Sequence, residues 1–180
     1  MGRYHVMNSF EEIYDSYSKM IFRTAFLMTG DYYDAEDVCQ ETFVIAFTRL
    51  YQLRERSSIK AWLFSIMTNE VRRKKRKDMR EISDGDITDR IDKDPHQDKI
   101  GPAQELLPDQ IDLMNDLDRL SQKQREAIVM YYYNGLSIKE IARITGSFEG
   151  TVKSRLSAGR RALKEILIKD EKETEAIKLC

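Results

Sequence analysis

Three clusters of side chains in this sequence have types and spacings suited to chemistry. The first is acidic: Asp31, Asp34, Asp37 and Glu41, carboxylates of the kind that can hold magnesium for hydrolysis. The second is a run of six cations, Arg72-Arg73-Lys74-Lys75-Arg76-Lys77, suited to a phosphate backbone. The third is sparse and mixed: Thr151, Lys153, Ser154, Arg155, Ser157 and Arg160. Small hydroxyls permit close approach to bases, and Lys or Arg reaches guanine or phosphate.

The acidic cluster does not make an enzyme. Asp34, Asp37 and Glu41 share one helix face at i, i+3 and i+7, with no second element to supply convergent ligands. His5 and His96 stand apart in segments without periodicity. No nucleophile–base pair and no phosphate-binding glycine loop is present. The two cysteines, Cys39 and Cys180, are too few for a disulfide framework or a structural zinc site. No catalytic residue, metal or cofactor is expected. The chemistry is binding.

Helices must position these clusters. Ser9 and Glu12 form a capping box, and Phe10, Ile13, Tyr14, Tyr17, Ile21 and Phe22 follow at helical spacing up to Thr29-Gly30. A second helix is expected from about Asp34, with Ala35, Val38, Cys39, Thr42, Ala46 and Leu50 inward. Gln52 to Ser57 reads as a polar connection. A third helix follows Ser58, with Ile59, Trp62, Leu63, Ile66 and Met67 as its apolar stripe. It is expected to end in the basic run, where cations suit the helix dipole.

Farther along, Ser121 to Gln124 and Ser137 to Glu140 are two more capping boxes. The first opens a helix burying Ala127, Ile128 and Tyr131, closed at Asn134-Gly135. The second opens a short helix with Ile138, Ile141 and Ala142 inward. Thr145-Gly146-Ser147 is a tight turn, and a long helix is expected from about Phe148, stapling its start, to Leu167. A short helix, a glycine turn and a longer helix make a helix-turn-helix, whose second helix enters the major groove. Val152, Leu156, Gly159 and Leu163 share the inward face; the hydroxyl and cationic residues project the other way.

The chain is 180 residues long, with a net charge of −1 and 41% hydrophobic residues. That average hides three blocks, of net charge +3 over residues 1–77, −9 over 78–118 and +5 over 119–180. The acidic stretch from about Ile82 to Gln104 has sparse apolar residues and reads as a flexible linker. It is either a solvated spacer or a shield for the basic faces. No apolar run approaches a membrane span, and Met1 to Phe10 lacks the pattern of a secretory signal. The expected class is all-α: two small helical domains joined by a flexible acidic linker, the second carrying the helix-turn-helix. The expected boundaries are residues 1–80, 81–110 and 111–180.

Together these blocks resemble an extracytoplasmic-function (ECF) sigma factor, the compact type of bacterial RNA polymerase specificity subunit. Gly30-Asp31 with Asp34-Ala35-Glu36-Asp37-Val38-Cys39-Gln40-Glu41-Thr42-Phe43 looks like the segment that grips the clamp helices of the largest polymerase subunit. Trp62-Leu63-Phe64-Ser65-Ile66 with Asn69 and the basic run looks like the helix that reads the minus-ten element. Glu140-Ile141-Ala142, then Glu149 to Leu156 and Arg160, is similar to the helix-turn-helix that binds the minus-thirty-five element. The sequence departs from many members at Arg73, where an acidic residue is common, and at Ala158, where Arg is common.

The resemblance implies that Asp34, Asp37, Gln40 and Glu41 dock on core polymerase. It implies that Lys60, Asn69, Arg72, Arg73 and Lys74 serve the minus-ten element, with Gln52 to Ser57 holding an extruded base. Lys153, Ser154 and Ser157 would meet base edges at the minus-thirty-five element; Thr151, Arg155 and Arg160 would hold backbone, Arg155 partly holding the fold. Implied partners are core RNA polymerase, promoter DNA and an anti-sigma factor covering both domains, with the protein cytoplasmic and not membrane-inserted. The alternative is a stand-alone helix-turn-helix regulator acting as a dimer, which would bind its operator tightly without polymerase.

Overall fold

A computed structural model describes residues 10–53, 55, 58–83 and 108–178. The described residues form seven α-helices and no strand. In chain order these are α1 (Phe10–Thr29), α2 (Tyr32–Arg49), α3 (Ile59–Ser83), α4 (Pro108–Asp118), α5 (Gln122–Ile128), α6 (Ile138–Thr145) and α7 (Glu149–Lys178). A 3-10 turn, Leu50–Gln52, follows α2, and a π-helical turn, Val129–Tyr133, continues α5.

The first three helices pack because each has an unbroken apolar stripe. Ile21, Ala25 and Met28 of α1 and Ala35, Val38 and Ala46 of α2 are buried together with Leu63, Phe64 and Met67 of α3. Full burial of a side chain such as Leu63 or Phe64 stabilises by about 1.5–3 kcal/mol, which fixes α3 at the centre. Phe43 is buried as well, a position outside the expected stripe of α2. Trp62 is half-buried against the core, as its place on the α3 stripe requires. Gly30, at φ +78°, ends α1. Asp31 then caps α2 by accepting from the Asp34 amide at 2.9 Å, so α2 begins two residues before the expected Asp34. Ser9, the expected cap of α1, and residues 84–107, most of the expected acidic linker, lie outside the described residues.

Three expectations need correction. First, α3 does not end in the basic run but continues to Ser83. The run is helix interior, and the cations spiral around the axis at about 100° each instead of capping a terminus. Second, Tyr131 is exposed and Met130 is buried in its place. The π turn inserts one residue into the helical register, which rotates Val129 and Met130 inward and leaves Tyr131, Tyr132 and Tyr133 outside. Third, Phe148 is no staple: it is 87% exposed. The last helix also runs beyond Leu167, to Lys178.

The two helical halves share one buried core cluster. Helices α1 and α3 of the first half pack on α5, the π turn and α6 of the second. Arg125, 4% exposed, sits in this contact. Its guanidinium donates to the carbonyls of Leu117 (2.7 Å) and Met28 (3.3 Å) and pairs with Asp118 at 2.6 Å.

Candidate nucleic-acid interface

The helix-turn-helix is built from short-range hydrogen bonds that its sequence dictates. Ser137 Oγ accepts from the Glu140 amide at 3.2 Å, and Glu140 Oε2 accepts from the Ser137 amide at 2.8 Å. The Ser137 hydroxyl also donates to that carboxylate, at 2.7 Å. These bonds hold the Glu140 carboxyl below its ordinary range. Gly146 closes α6 in the left-handed region, at φ +62°, where a Cβ would be strained. The Ser147 amide donates back to Ala142 O at 2.9 Å. Arg155 donates to Ser147 Oγ at 2.9 Å, tying the turn to α7.

Val152 and Leu156 face inward and are buried, with Gly159 beneath Ile128. A Cβ on Gly159 would lie 2.8 Å from Ile128 Cγ1 and 3.5 Å from Gln124 Cβ. Glycine is therefore required for the close approach of α7 to α5. We expect Gly159→Val to destabilise by about 2 kcal/mol in chemical denaturation, because overpacking costs about 1–3 kcal/mol and removing a helical glycine returns at most about 1 kcal/mol.

On the opposite side of α7, Thr151, Lys153, Ser154, Ser157 and Arg160 are exposed together, and Arg155 is half-buried at their edge. This face is small, polar and cationic, and it lies open.

The α3 residues fare differently. Asn69 is exposed. Lys60 Nζ donates to the backbone carbonyl of Asn134 in the other half, at 2.9 Å. Arg72 grips Glu126 with Nε to Oε1 at 3.1 Å and a second guanidinium nitrogen to Oε2 at 2.7 Å. Arg73 pairs with Glu70 of its own helix at 2.6 Å. Lys74 bridges Asp34 (3.0 Å) and Asp37 (2.8 Å). Burial opposes the charge of Lys74, but its hydrogen bonds to Asp37 and Asp34 outweigh that and raise its pKa. Lys75 is pushed down by burial and then by the Arg125 charge. Arg76 and Lys77 are exposed.

The fold thus brings the acidic and basic clusters together. Asp37, Gln40 and Glu41 line one cleft of about 280 Å³ with Arg73, Lys74 and Lys77. Gln40 also borders a second, more apolar groove of about 710 Å³ between α1 and α2. Phe10, Tyr14, Phe43 and Phe47 form its wall, with edge-to-face contacts of Phe10 with Phe47 at 5.0 Å and of Tyr14 with Phe43 at 4.9 Å. Reasoning on the sequence missed this groove, although the pairs Phe10/Tyr14 and Phe43/Phe47, each four apart, carry its signal. It also missed Glu126, because a charged residue inside a helix reads as solvent-facing.

Cys39 lines the groove, its Sγ 3.8 Å from Ser18 O. Burial, then the Glu36 charge, raises its pKa from 9.0 to about 11. Only the thiolate alkylates. At pH 8 we expect iodoacetamide to label Cys39 about a hundredfold more slowly than an ordinary thiol, with the rate climbing until about pH 11. A flat rate across that range would contradict the assignment.

Comparison with known proteins agrees in both halves. Residues 13–81 match the family described as Sigma-70 region 2, and residues 111–163 match Sigma-70, region 4. The ECF RNA polymerase sigma factor SigE of Mycolicibacterium smegmatis is 34% identical, over 96% of this chain and 67% of that protein. SigM of Bacillus subtilis, another ECF sigma factor, is 31% identical, over 87% of this chain and 93% of its own. Among solved structures, the sigma factor RpoE of Bartonella quintana, crystallised with the anti-sigma factor NepR, superposes with a TM-score of 0.75 at 33% identity. That match covers 88% of this chain and 96% of the other.

Proposed function

The chain belongs to the ECF sigma factors, and we propose how its residues divide that family's work. It binds core RNA polymerase and directs promoter-specific initiation by recognising the minus-ten and minus-thirty-five elements. The observation that carries this is the presence of both sigma regions, in order, in one short chain.

We assign residues 1–80 to polymerase and minus-ten binding, 81–110 to a linker and 111–180 to minus-thirty-five binding. Asp34, Asp37, Gln40 and Glu41 form the polar edge of the polymerase-docking face. The aromatic groove beside Gln40 supplies its apolar floor, since stable interfaces join a hydrophobic core to a polar rim. Asn69 offers a donor and an acceptor to a base edge, and Lys60, Arg72, Arg73 and Lys74 hold phosphates. In α7, Lys153, Ser154 and Ser157 meet bases; Thr151, Arg155 and Arg160 hold the backbone. The contacts are reversible, and no covalent step is assigned to the chain.

Neither half is strongly basic, so DNA binding by the free protein is weak. Tethering on polymerase raises the effective concentration of both halves at the promoter. An anti-sigma factor is a further partner, supported by the RpoE relative having been crystallised with one. The cytoplasm is the assigned compartment, where polymerase and promoter meet; no described helix is long and apolar enough to cross a membrane.

Run-off transcription with core polymerase on a library of randomised promoters tests the reading. The expected result is transcripts of defined start site whose templates share two spaced elements. A protein that neither binds core nor directs initiation, yet shifts duplex DNA as a dimer, would overturn it.

A further inference from the structure

Phe148 is left without a role by the fold and by the residue roles proposed above. Its side chain is 87% exposed, more than any other large apolar side chain among the described residues. A single exposed apolar side chain is ordinary on a protein surface; the place of this one is not. Its backbone is held on both sides. The Ser147 amide before it donates to Ala142 O at 2.9 Å, and its own carbonyl accepts from the Val152 amide at 3.1 Å. Ser147 Oγ accepts from Arg155 at 2.9 Å. Phe148 therefore starts α7 from a fixed point. The core at this corner is made by Ile141, Ile144, Val152 and Leu156, all buried, and the ring takes no part in it.

The ring stands at the leading end of the face assigned to the minus-thirty-five element. Glu149, Gly150, Thr151, Lys153 and Ser154, which follow it, are all exposed. A Cβ on Gly150 would meet nothing within 4 Å, so the surface beside the ring is open. The second helix of a helix-turn-helix sets its first residues against base edges in the major groove. A phenyl ring carries no donor and no acceptor, so it offers nothing to a phosphate or to a polar edge atom. The apolar group that the major groove presents is the C5 methyl of thymine.

We propose that Phe148 is a specificity-determining residue: its ring packs on a thymine methyl at the edge of the minus-thirty-five element that the first turn of α7 reaches. This rests on the role proposed above for α7 and deepens it. The hydroxyls and cations of that face sort bases by hydrogen bonding. Phe148 adds a contact that ignores hydrogen bonds and responds to a methyl group alone. The expected effect is that of burying one methyl group, about fourfold in affinity.

The test uses the full chain with core polymerase on synthetic promoter duplexes carrying the minus-thirty-five element that the wild type selects. Each thymine of that element is replaced in turn by uracil, which removes the methyl and keeps the base-pair hydrogen bonds. At one position near the end of the element, uracil is expected to raise the template concentration for half-maximal run-off transcription about fourfold for the wild type. Phe148→Ala is expected to need about four times more of the thymine template, and to respond equally to thymine and uracil at that position. Its melting should match the wild type, because the side chain lies outside the core. A wild type indifferent to uracil at every thymine, or a selected element without thymine, overturns the proposal. So does a Phe148→Ala variant that still discriminates; if it also loses yield, the ring lies against polymerase instead. In each of these cases initiation by the wild type leaves the sigma reading standing. Failure of the wild type to initiate would instead remove that reading, and the proposal with it.

Discussion

Lys153→Ala combined with Arg160→Ala is expected to lower run-off transcription from a cognate promoter about a hundredfold, with core polymerase binding unchanged. Both side chains are exposed on α7, and Val152 and Leu156, which hold that helix, lie on its other face. The double variant should therefore melt as the wild type does. A base-edge contact carries about 1–3 kcal/mol of discrimination, and a phosphate contact adds affinity that salt weakens. Two such losses come to about 2–4 kcal/mol, and every 1.4 kcal/mol is about tenfold. The measurement is transcript yield against template concentration. Wild-type yield from the double variant would move the minus-thirty-five contact off this face.

Arg125→Ala should produce the largest loss of stability, about 3–5 kcal/mol. Removing one partner of a buried pair leaves the other uncompensated. Here the Met28 carbonyl would also lose the Arg125 donor, and the Leu117 carbonyl would keep only the Leu120 amide. The side chain is almost fully enclosed, so solvent does little to soften the change. In a chain of this length, each kcal/mol moves Tm by about 2–4 °C, giving a fall of about 10 °C in a calorimetric scan. Arg125→Lys should not rescue it, because an ammonium cannot span two carbonyls and the Asp118 carboxylate with the reach of a guanidinium fork. A shift below about 2 °C for Arg125→Ala would show that these bonds contribute little.

What was legible in the sequence was local. The Ser137–Glu140 capping box, the stripe of α3 and the inward Val152 and Leu156 all follow from spacings of three or four residues, and the tight turn at Gly146 follows from its residue types. They appear in the structure where the spacing put them. What was not legible depends on partners distant in the chain. Arg125 and Glu126 are charged residues in a helix, and only the first half of the molecule, packed over them, makes them buried. The basic run reads as a helix end because cations favour that position, yet α3 continues to Ser83. The exposed face of α7 was legible because it needs no partner; the occupation of Lys60 and Arg72 was not, because it needs Asn134 and Glu126.

The π turn at Val129–Tyr133 bears on how this fold changes over generations. One surplus residue inside a helix is an insertion absorbed without a new loop. Lineages could gain or lose it by a single codon, and the ends of the segment would stay in place. Each such event turns the flanking side chains by about 100°. The same few letters would then present a different surface: Met130 could trade places with a tyrosine, changing what faces solvent beside Asn134. Aligned relatives that differ by one residue in this stretch should be compared by the direction in which side chains point, since column-by-column identity there would pair buried positions with exposed ones.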